Sequence, residues 1–327
     1  MKNNALISVI LPLYNEPESL AKQAIDSILT QTYSKLEIIL LLDNPDNDIL
    51  KNILSEYGKK DKRIIVAINE KNKGLPETLN KGIDIATGDF IARMDGDDIS
   101  TADRLEKQLA YMQTHPQTDL LGSDAFAINE EGKLIGEYHK LATDYSQKMM
   151  LRHISINLIH PTWFGKSKLF KQCKYRNFTH CEDYDFMIRA YALGYHFHNL
   201  KEKLFYVRIQ QTSLRSVSRK YAYEQYINTL RVKSQFKEFR KKHMKNYPEL
   251  PELTYDLNDK ERYQSTISLL NELREAFFQK QFVKFINLFI KIARKDFRPL
   301  AFRIKVFTLS KVLVLAEKIK LAELLSK

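Results

Sequence analysis

Asp89-Phe90-Ile91-Ala92-Arg93-Met94-Asp95-Gly96-Asp97-Asp98 sets three carboxylates within four residues directly behind a short apolar run. Asp and Gly are poor strand-interior residues, so the run reads as a strand that ends here, with the acids on a loop at its carboxyl end. In an open parallel sheet that edge is where ligands bind. Carboxylates this close repel one another unless a cation joins them. Hard oxygen donors on a tight glycine turn suit Mg²⁺ or Mn²⁺, held jointly with phosphate oxygens. The same residues also read as an acidic turn leading into a helix start.

The surrounding chain alternates strand and helix with a short period. Leu6 to Tyr14 is a β-branched apolar run that reads as a buried first strand stopped by Pro12. Asn15 to Glu18 opens a helix carrying Leu20, Ala24, Ile28 and Leu29 at helical spacing. Leu36 to Leu42 is a second strand ending on Asp43, and Arg63 to Ile68 a third. A polar loop, a helix from about Pro76 to Ala86 and the strand Phe90 to Met94 complete the pattern of a doubly wound α/β sheet. No GxG occurs, which excludes a GxGxxG dinucleotide site. Gly165-Lys166-Ser167 resembles the end of a P-loop, but His160 stands where the upstream glycine belongs.

The 327 residues suffice for one large domain and an appendage, and a hydrophobic content of 44% excludes global disorder. Cys173 and Cys181 lack CxxC or zinc-ligand spacing and read as reduced thiols. The N-terminus shows no signal-peptide pattern and no apolar run reaches the ~18 residues of a membrane span, so a cytoplasmic location is expected. The net charge of +12 lies entirely in residues 217–327, which hold 24 Lys and Arg against 12 Asp and Glu. That asymmetry marks a boundary near Ser216, dividing a domain of residues 1–216 from a basic region of residues 217–327, and it asks for an anionic partner.

Five segments, in order and spacing, resemble glycosyltransferase family 2. They are Val9 to Glu16, Asp43, Asn72-Lys73-Gly74-Leu75 with Asn80 and Gly82, Arg93 to Ile99 followed by Arg104 and Gln108, and Cys181-Glu182-Asp183-Tyr184-Asp185 with Arg189. The resemblance covers about residues 5–215 and is nearest to the bacterial subgroup that builds exopolysaccharide, capsule and lipopolysaccharide. It implies a GT-A fold, Rossmann-like with a mainly parallel central sheet and flanking helices, and an inverting, metal-dependent transfer from a nucleotide sugar.

By that resemblance Pro12, Tyr14 and Glu16 line the base and ribose pocket, and Asp43 accepts a hydrogen bond from uracil N3–H. A carboxylate matches an imide donor, which makes a UDP sugar the first expectation. Lys73 and Arg93 lie near the nucleotide. Asp95 takes the ribose or the metal shell, Asp97 ligates Mn²⁺ or Mg²⁺, and Asp98 is open between the two roles. Asp183 is the general base and Glu182 orients the acceptor; without the upstream acid cluster both would read as first-turn acids of a helix. His160 touches acceptor or phosphate, or is a satisfied buried histidine. Trp163 stacks on a sugar or packs in the core. Arg208 and Arg215 suit the diphosphate, because a guanidinium fork matches phosphate oxygens, or else form surface salt bridges.

The C-terminal third reads as all-helical, with helical spacing over 219–245, a break at Pro248 to Pro251, and amphipathic segments from Phe282 to Ile292 and Ile304 to Leu325 bearing Lys284, Lys291, Arg294, Lys305, Lys311 and Lys318. Two readings stand: peripheral attachment to an anionic membrane surface holding a lipid-linked acceptor, or a bundle packed on the first domain or a second subunit. Nucleic acid is not an expected partner, since the basic residues are interleaved with core-type aliphatics. The expected function is sugar transfer from a nucleotide-sugar donor to a surface-glycan acceptor. Single addition is expected, because the QxxRW motif and membrane spans of processive relatives are absent. The rivals are a sugar-nucleotide pyrophosphorylase, disfavoured because Leu13 to Glu16 replaces a Gly-rich loop, and a non-catalytic scaffold with a relic site.

Overall fold

The computed structural model describes residues 4–178, 180–209, 221–242, 247 and 256–325. Their contacts divide them into two compact units, one within residues 1–151, 156–178 and 182–210, the other within 152–155, 179–181 and 211–327.

The first unit is built on a nine-stranded mixed sheet. β1 (Ile7–Leu13), β2 (Leu36–Leu42), β3 (Ile64–Ile68) and β4 (Phe90–Arg93) form a parallel half in the order β3-β2-β1-β4, joined by α1 (Glu18–Leu29), α2 (Asp48–Lys60) and α3 (Leu75–Ile85). The central strands are continuous apolar runs because helices cover both faces. Beyond β4 the parallel pattern stops. β8 (Phe164–Lys166) lies antiparallel to β4 and to β6 (Leu120–Ile128), and β9 (Phe197–Arg208) runs parallel along the other side of β6. β7 (Leu134–Tyr138) pairs with the far end of β6, and the two-residue β5 (Ile99–Ser100) with β9. The acid loop therefore hangs between β4, in the middle of the sheet, and β5, at its far edge.

Pro12 does not stop β1, contrary to the sequence expectation. Ile7 N donates to Lys35 O and Leu13 O accepts from Asp43 N, so the odd residues of β1 face β2. The even residues face β4, as the bond from Met94 N to Ile10 O shows. β4 ends at Arg93, opposite Ile10, so no acceptor awaits an N–H at position 12 and proline costs the ladder nothing.

Four helices hold the functional segments around this sheet: α4 (Arg104–Thr114), α5 (Asp144–His153), α6 (Ser167–Cys173) and α7 (Glu182–Ala192). The second unit carries α8 (Ala222–Lys241), α9 (Leu257–Phe278), α10 (Phe282–Lys295) and α11 (Arg298–Leu325). Its core joins Leu269, Leu270 and Leu273 of α9 to Leu288 and Ile292 of α10 and Leu300 of α11. Arg215 and the expected break at Pro248 to Pro251 lie outside the described residues. Among those described, no helix is long and apolar enough to cross a membrane.

Helix α3 seats directly on the sheet at Gly82. A Cβ there would stand 2.7 Å from Ile10 Cγ2 and 2.8 Å from Leu41 Cδ1, both buried. Gly82→Val is therefore expected to destabilise the protein by about 1–3 kcal/mol through overpacking, read as a lowered midpoint in chemical denaturation.

Candidate functional site

The carboxyl ends of β1, β2 and β4 carry the expected residues, and each acid there is held in a different way. Asp43, buried, follows β2. Its Oδ1 accepts from Asn69 Nδ2 at 2.7 Å and Lys73 N at 2.8 Å, and its Oδ2 from Gly74 N at 2.9 Å. A carboxylate offers roughly four acceptor directions, so Asp43 organises the 69–74 loop and retains acceptor capacity at Oδ2. Lys73 contributes its backbone to this knot and leaves its side chain exposed.

At the end of β1, Pro12 is buried while Tyr14 is exposed. Glu16 turns back to accept the Tyr14 N–H at 2.7 Å. Burial pushes the Glu16 pKa up to about 7, opposed by that hydrogen bond and reinforced by the charges of Asp97 and Asp95. The acid loop approaches β1 closely at Gly96, where a Cβ would lie 3.0 Å from both Leu13 Cδ2 and the Pro12 carbonyl oxygen. Asp98 is buried and accepts the Arg208 N–H at 2.7 Å. Burial raises its pKa well above the carboxylate range, and the Asp95 and Asp97 charges push the same way.

Arg208 has a different task from the one expected. Its guanidinium donates to the carbonyls of Asp97 (2.8 Å), Asn129 (3.1 Å) and Glu130 (2.8 Å) and to Gln23 Oε1 (2.9 Å). It fastens the acid loop to β9 and the β6–β7 turn, with little left for a diphosphate. Arg104 is equally structural. Fully buried, it donates to Arg93 O at 2.8 Å and Gln108 Oε1 at 3.0 Å, while Gln108 Nε2 donates to Thr162 O at 2.9 Å. These two residues tie the end of β4 to the 160–163 segment.

Arg93 is the hub. Its side chain is 3% exposed and grips both oxygens of Asp95, with Nη1 to Oδ2 at 2.9 Å and Nη2 on Oδ1. Its Nε, also buried, has no hydrogen-bond partner among the described residues. The Arg93 charge reaches His160, Tyr175, Glu182 and Asp183, so these groups share one neighbourhood. Burial raises the pKa of Glu182, with Asp183 adding to the shift and Arg93 opposing it. Burial likewise raises Asp183, whose Oδ1 accepts the Tyr184 N–H at 2.6 Å. Both acids lie in the first turn of α7.

Tyr175 was not among the sequence candidates. Burial drives its hydroxyl pKa far upward and that of His160 well below the usual histidine range, so a protonated phenol and a neutral imidazole share a hydrogen bond between the Tyr175 hydroxyl and His160 Nε2 at 2.8 Å. Asn80 clamps the Tyr175 backbone from both sides, Nδ2 to the carbonyl and Oδ1 from the N–H, each at 2.7 Å. Arg176 and Arg189 both grip the fully buried Asp185, and Arg189 also donates to the carbonyls of Cys173 and Lys174. The only sequence signals for Tyr175 were Asn80, which holds its backbone, and Asp185 and Arg189, which hold its neighbours at 173, 174 and 176. Trp163 is fully buried beside His160 and Phe186, and no face of it is offered to a sugar.

Among the described residues no group of three or more His, Cys, Asp or Glu is arranged to hold a metal ion. The donor set nonetheless fits one. Magnesium-type ions commonly take one or two carboxylates and complete their shell with phosphate oxygens and water. Asp95 and Asp97 are partly exposed hard donors, and the charge they impose on Glu16 and Asp98 is what a cation would relieve.

The chain belongs to glycosyl transferase family 2, whose model matches residues 8–194. It is 39% identical over 205 residues to an uncharacterized glycosyltransferase of Methanocaldococcus jannaschii, covering 62% of this chain and 71% of that one. It is 32% identical over 213 residues to the amylovoran biosynthesis glycosyltransferase AmsE of Erwinia amylovora, covering 62% of this chain and 76% of that one. Among solved structures, residues 1–349 of S. aureus TarS in complex with UDP-GlcNAc superpose with a TM-score of 0.56 at 17% identity, covering 90% of this chain and 92% of that one. The mannosyltransferase PcManGT of Pyrobaculum calidifontis, in complex with GDP-Man and Mn²⁺, gives 0.54 at 14% identity, covering 69% and 64%. The sheet is that of the GT-A fold, and the protein is a glycosyltransferase.

Asp43→Ala would remove the acceptor of the Lys73 N–H and one of the two acceptors held by the buried Asn69 amide and by Gly74 N, which keep Thr78 Oγ1 and Asn72 Oδ1. A loss of about 2–4 kcal/mol is expected, with accelerated hydrogen exchange at Lys73 and Gly74 before global unfolding.

Proposed function

We propose that the protein is a metal-dependent, inverting glycosyltransferase that moves one sugar from a UDP-linked donor to a growing surface glycan. The observation that carries this reading is the convergence of Asp95, with Asp97 two residues beyond it, and of the pair Glu182 and Asp183 on the buried Arg93. One pair suits a cation and a diphosphate, the other an acceptor hydroxyl. The nucleotide sugars in the TarS and PcManGT complexes support a nucleotide-sugar donor, and the role of AmsE in amylovoran biosynthesis supports a polysaccharide acceptor. The lone pair that Asp43 keeps at Oδ2 matches the uracil N3–H and favours UDP.

Inverting transfer is a single in-line displacement at the anomeric carbon. The acceptor oxygen forms the new bond as the bond to the diphosphate breaks, and the acceptor proton passes to Asp183. A carboxylate whose burial raises its pKa is a better base for this step than an exposed one. Glu182, its neighbour on the same turn, orients the acceptor. Asp97, with Asp95, would hold Mn²⁺ or Mg²⁺, which when bound neutralises the charge gathering on the leaving diphosphate. Pro12, Tyr14 and Glu16 border the base and ribose, Lys73 and Arg93 flank the phosphates, and His160 and Tyr175 shape the acceptor side.

The reading is tested by calorimetric titration of UDP, GDP, TDP and CMP with and without Mn²⁺. UDP alone is expected to bind, only with metal, and Asp97→Asn is expected to abolish it. Failure of every nucleotide to bind would overturn the proposal.

Asp183→Asn is expected to lower kcat roughly a hundred- to ten-thousand-fold while leaving donor affinity within a few-fold. The base acts only when deprotonated, and burial raises its pKa. In the unaltered enzyme kcat/KM should therefore fall as the pH drops through a value above the ordinary carboxylate range. Arg93 moderates that shift, and Asp95 and the protonated Tyr175 face the same pair.

A further inference from the structure

Helix α10 has three faces, and the helical unit uses one. Leu288 and Ile292, with Phe285 beside them, pack against α9 and α11. At helical spacing Lys284, Asn287, Lys291, Arg294 and Lys295 share a second, polar arc. Between these two faces lies a third, on which Phe282, Val283, Ile286, Phe289 and Ile290 stand 72, 76, 56, 38 and 43% exposed. Phe277 and Phe278, at the end of α9, extend the exposed apolar surface to 62 and 69%. A contiguous patch of this kind, bordered by charge, marks an interaction surface.

Charge decides what covers it. Residues 217–327 carry the whole net charge of +12, and the polar arc of α10 holds four cations and no acid. A second copy meeting this face would bring like charge against like. A nucleic acid would neutralise the cations and leave the phenylalanines in water. An anionic bilayer satisfies both strips, since the apolar side chains enter below the headgroups while lysine and arginine meet their negative charge. At 14 residues α10 is about 21 Å long, too short to span and long enough to lie in the interface.

We infer that α10 docks the protein onto an anionic lipid surface, inserting Phe282, Val283, Ile286, Phe289 and Ile290 and setting Lys284, Lys291, Arg294 and Lys295 on the headgroups. The docking surface is independent of the nucleotide specificity proposed above.

The test is co-sedimentation of the full chain with vesicles of phosphatidylcholine alone or with about 30% phosphatidylglycerol. Binding is expected for the anionic vesicles and should weaken as salt rises from about 0.1 to 0.5 M. The double variants Phe282→Ser/Ile286→Ser and Lys284→Glu/Lys291→Glu should each bind at least about ten-fold more weakly, with far-ultraviolet circular dichroism unchanged. In the unaltered chain, residues 282–295 should gain hydrogen-exchange protection when anionic vesicles are added, a readout that needs no variant. Absence of binding, equal binding to neutral vesicles, or unchanged binding by both variants overturns the inference. A dimer lost in Phe282→Ser/Ile286→Ser, without vesicle binding, would assign the face to a second copy instead.

Discussion

A buried arginine at the end of a central strand is the constraint on which the first unit is arranged. Burying a guanidinium costs several kcal/mol unless it is paired and hydrogen-bonded. Arg93 meets that demand through Asp95, two residues further along, so the pair folds the chain back as β4 ends and fixes where the acid loop begins. Burial and the neighbouring Arg93 hold the Arg104 pKa down to about 9. Two cations under the loop explain how Asp95, Asp97, Asp98, Glu182 and Asp183 are gathered in one region without driving the fold apart. Burial nonetheless raises the pKa values of Asp98, Glu182 and Asp183, and the Arg93 charge opposes that rise at all three.

Much of the polar sequence around this centre is scaffolding. Asp43 spends three hydrogen bonds on the 69–74 loop, Asp185 holds two arginines, and Asn80 grips the backbone at Tyr175. Each brings a distant segment to the sheet edge, where main-chain groups would otherwise lack partners. Removing such a residue would release the segment it holds and leave main-chain groups without partners.

The helical unit follows another logic. Its inner core is small, centred on Leu269, Leu270, Leu273, Leu288 and Ile292, and is supplemented by Arg298, which bonds Asp259 and Asp296, with Asp259 also accepting the Tyr223 hydroxyl. It leaves large apolar side chains in water, an arrangement that costs stability in isolation and marks an interaction surface.

The sequence by itself determined the strand–helix alternation up to β4, because buried parallel strands and amphipathic helices leave local periodicities that single residues cannot mask. It also located the acid loop and the Glu182-Asp183 pair, since clustered carboxylates are visible without knowing their neighbours. The sequence reading missed the mixed half of the sheet, where β8 has three residues and β5 two, too short for any periodicity. It missed the passage of β1 through Pro12, which depends on where a neighbouring strand ends. Whether Arg208 meets a phosphate or a loop, Trp163 a sugar or the core, and Tyr175 anything at all was decided only by the tertiary structure. Hydrogen bonding and burial at those side chains depend on partners 15 to 185 residues away, and no local pattern encodes them.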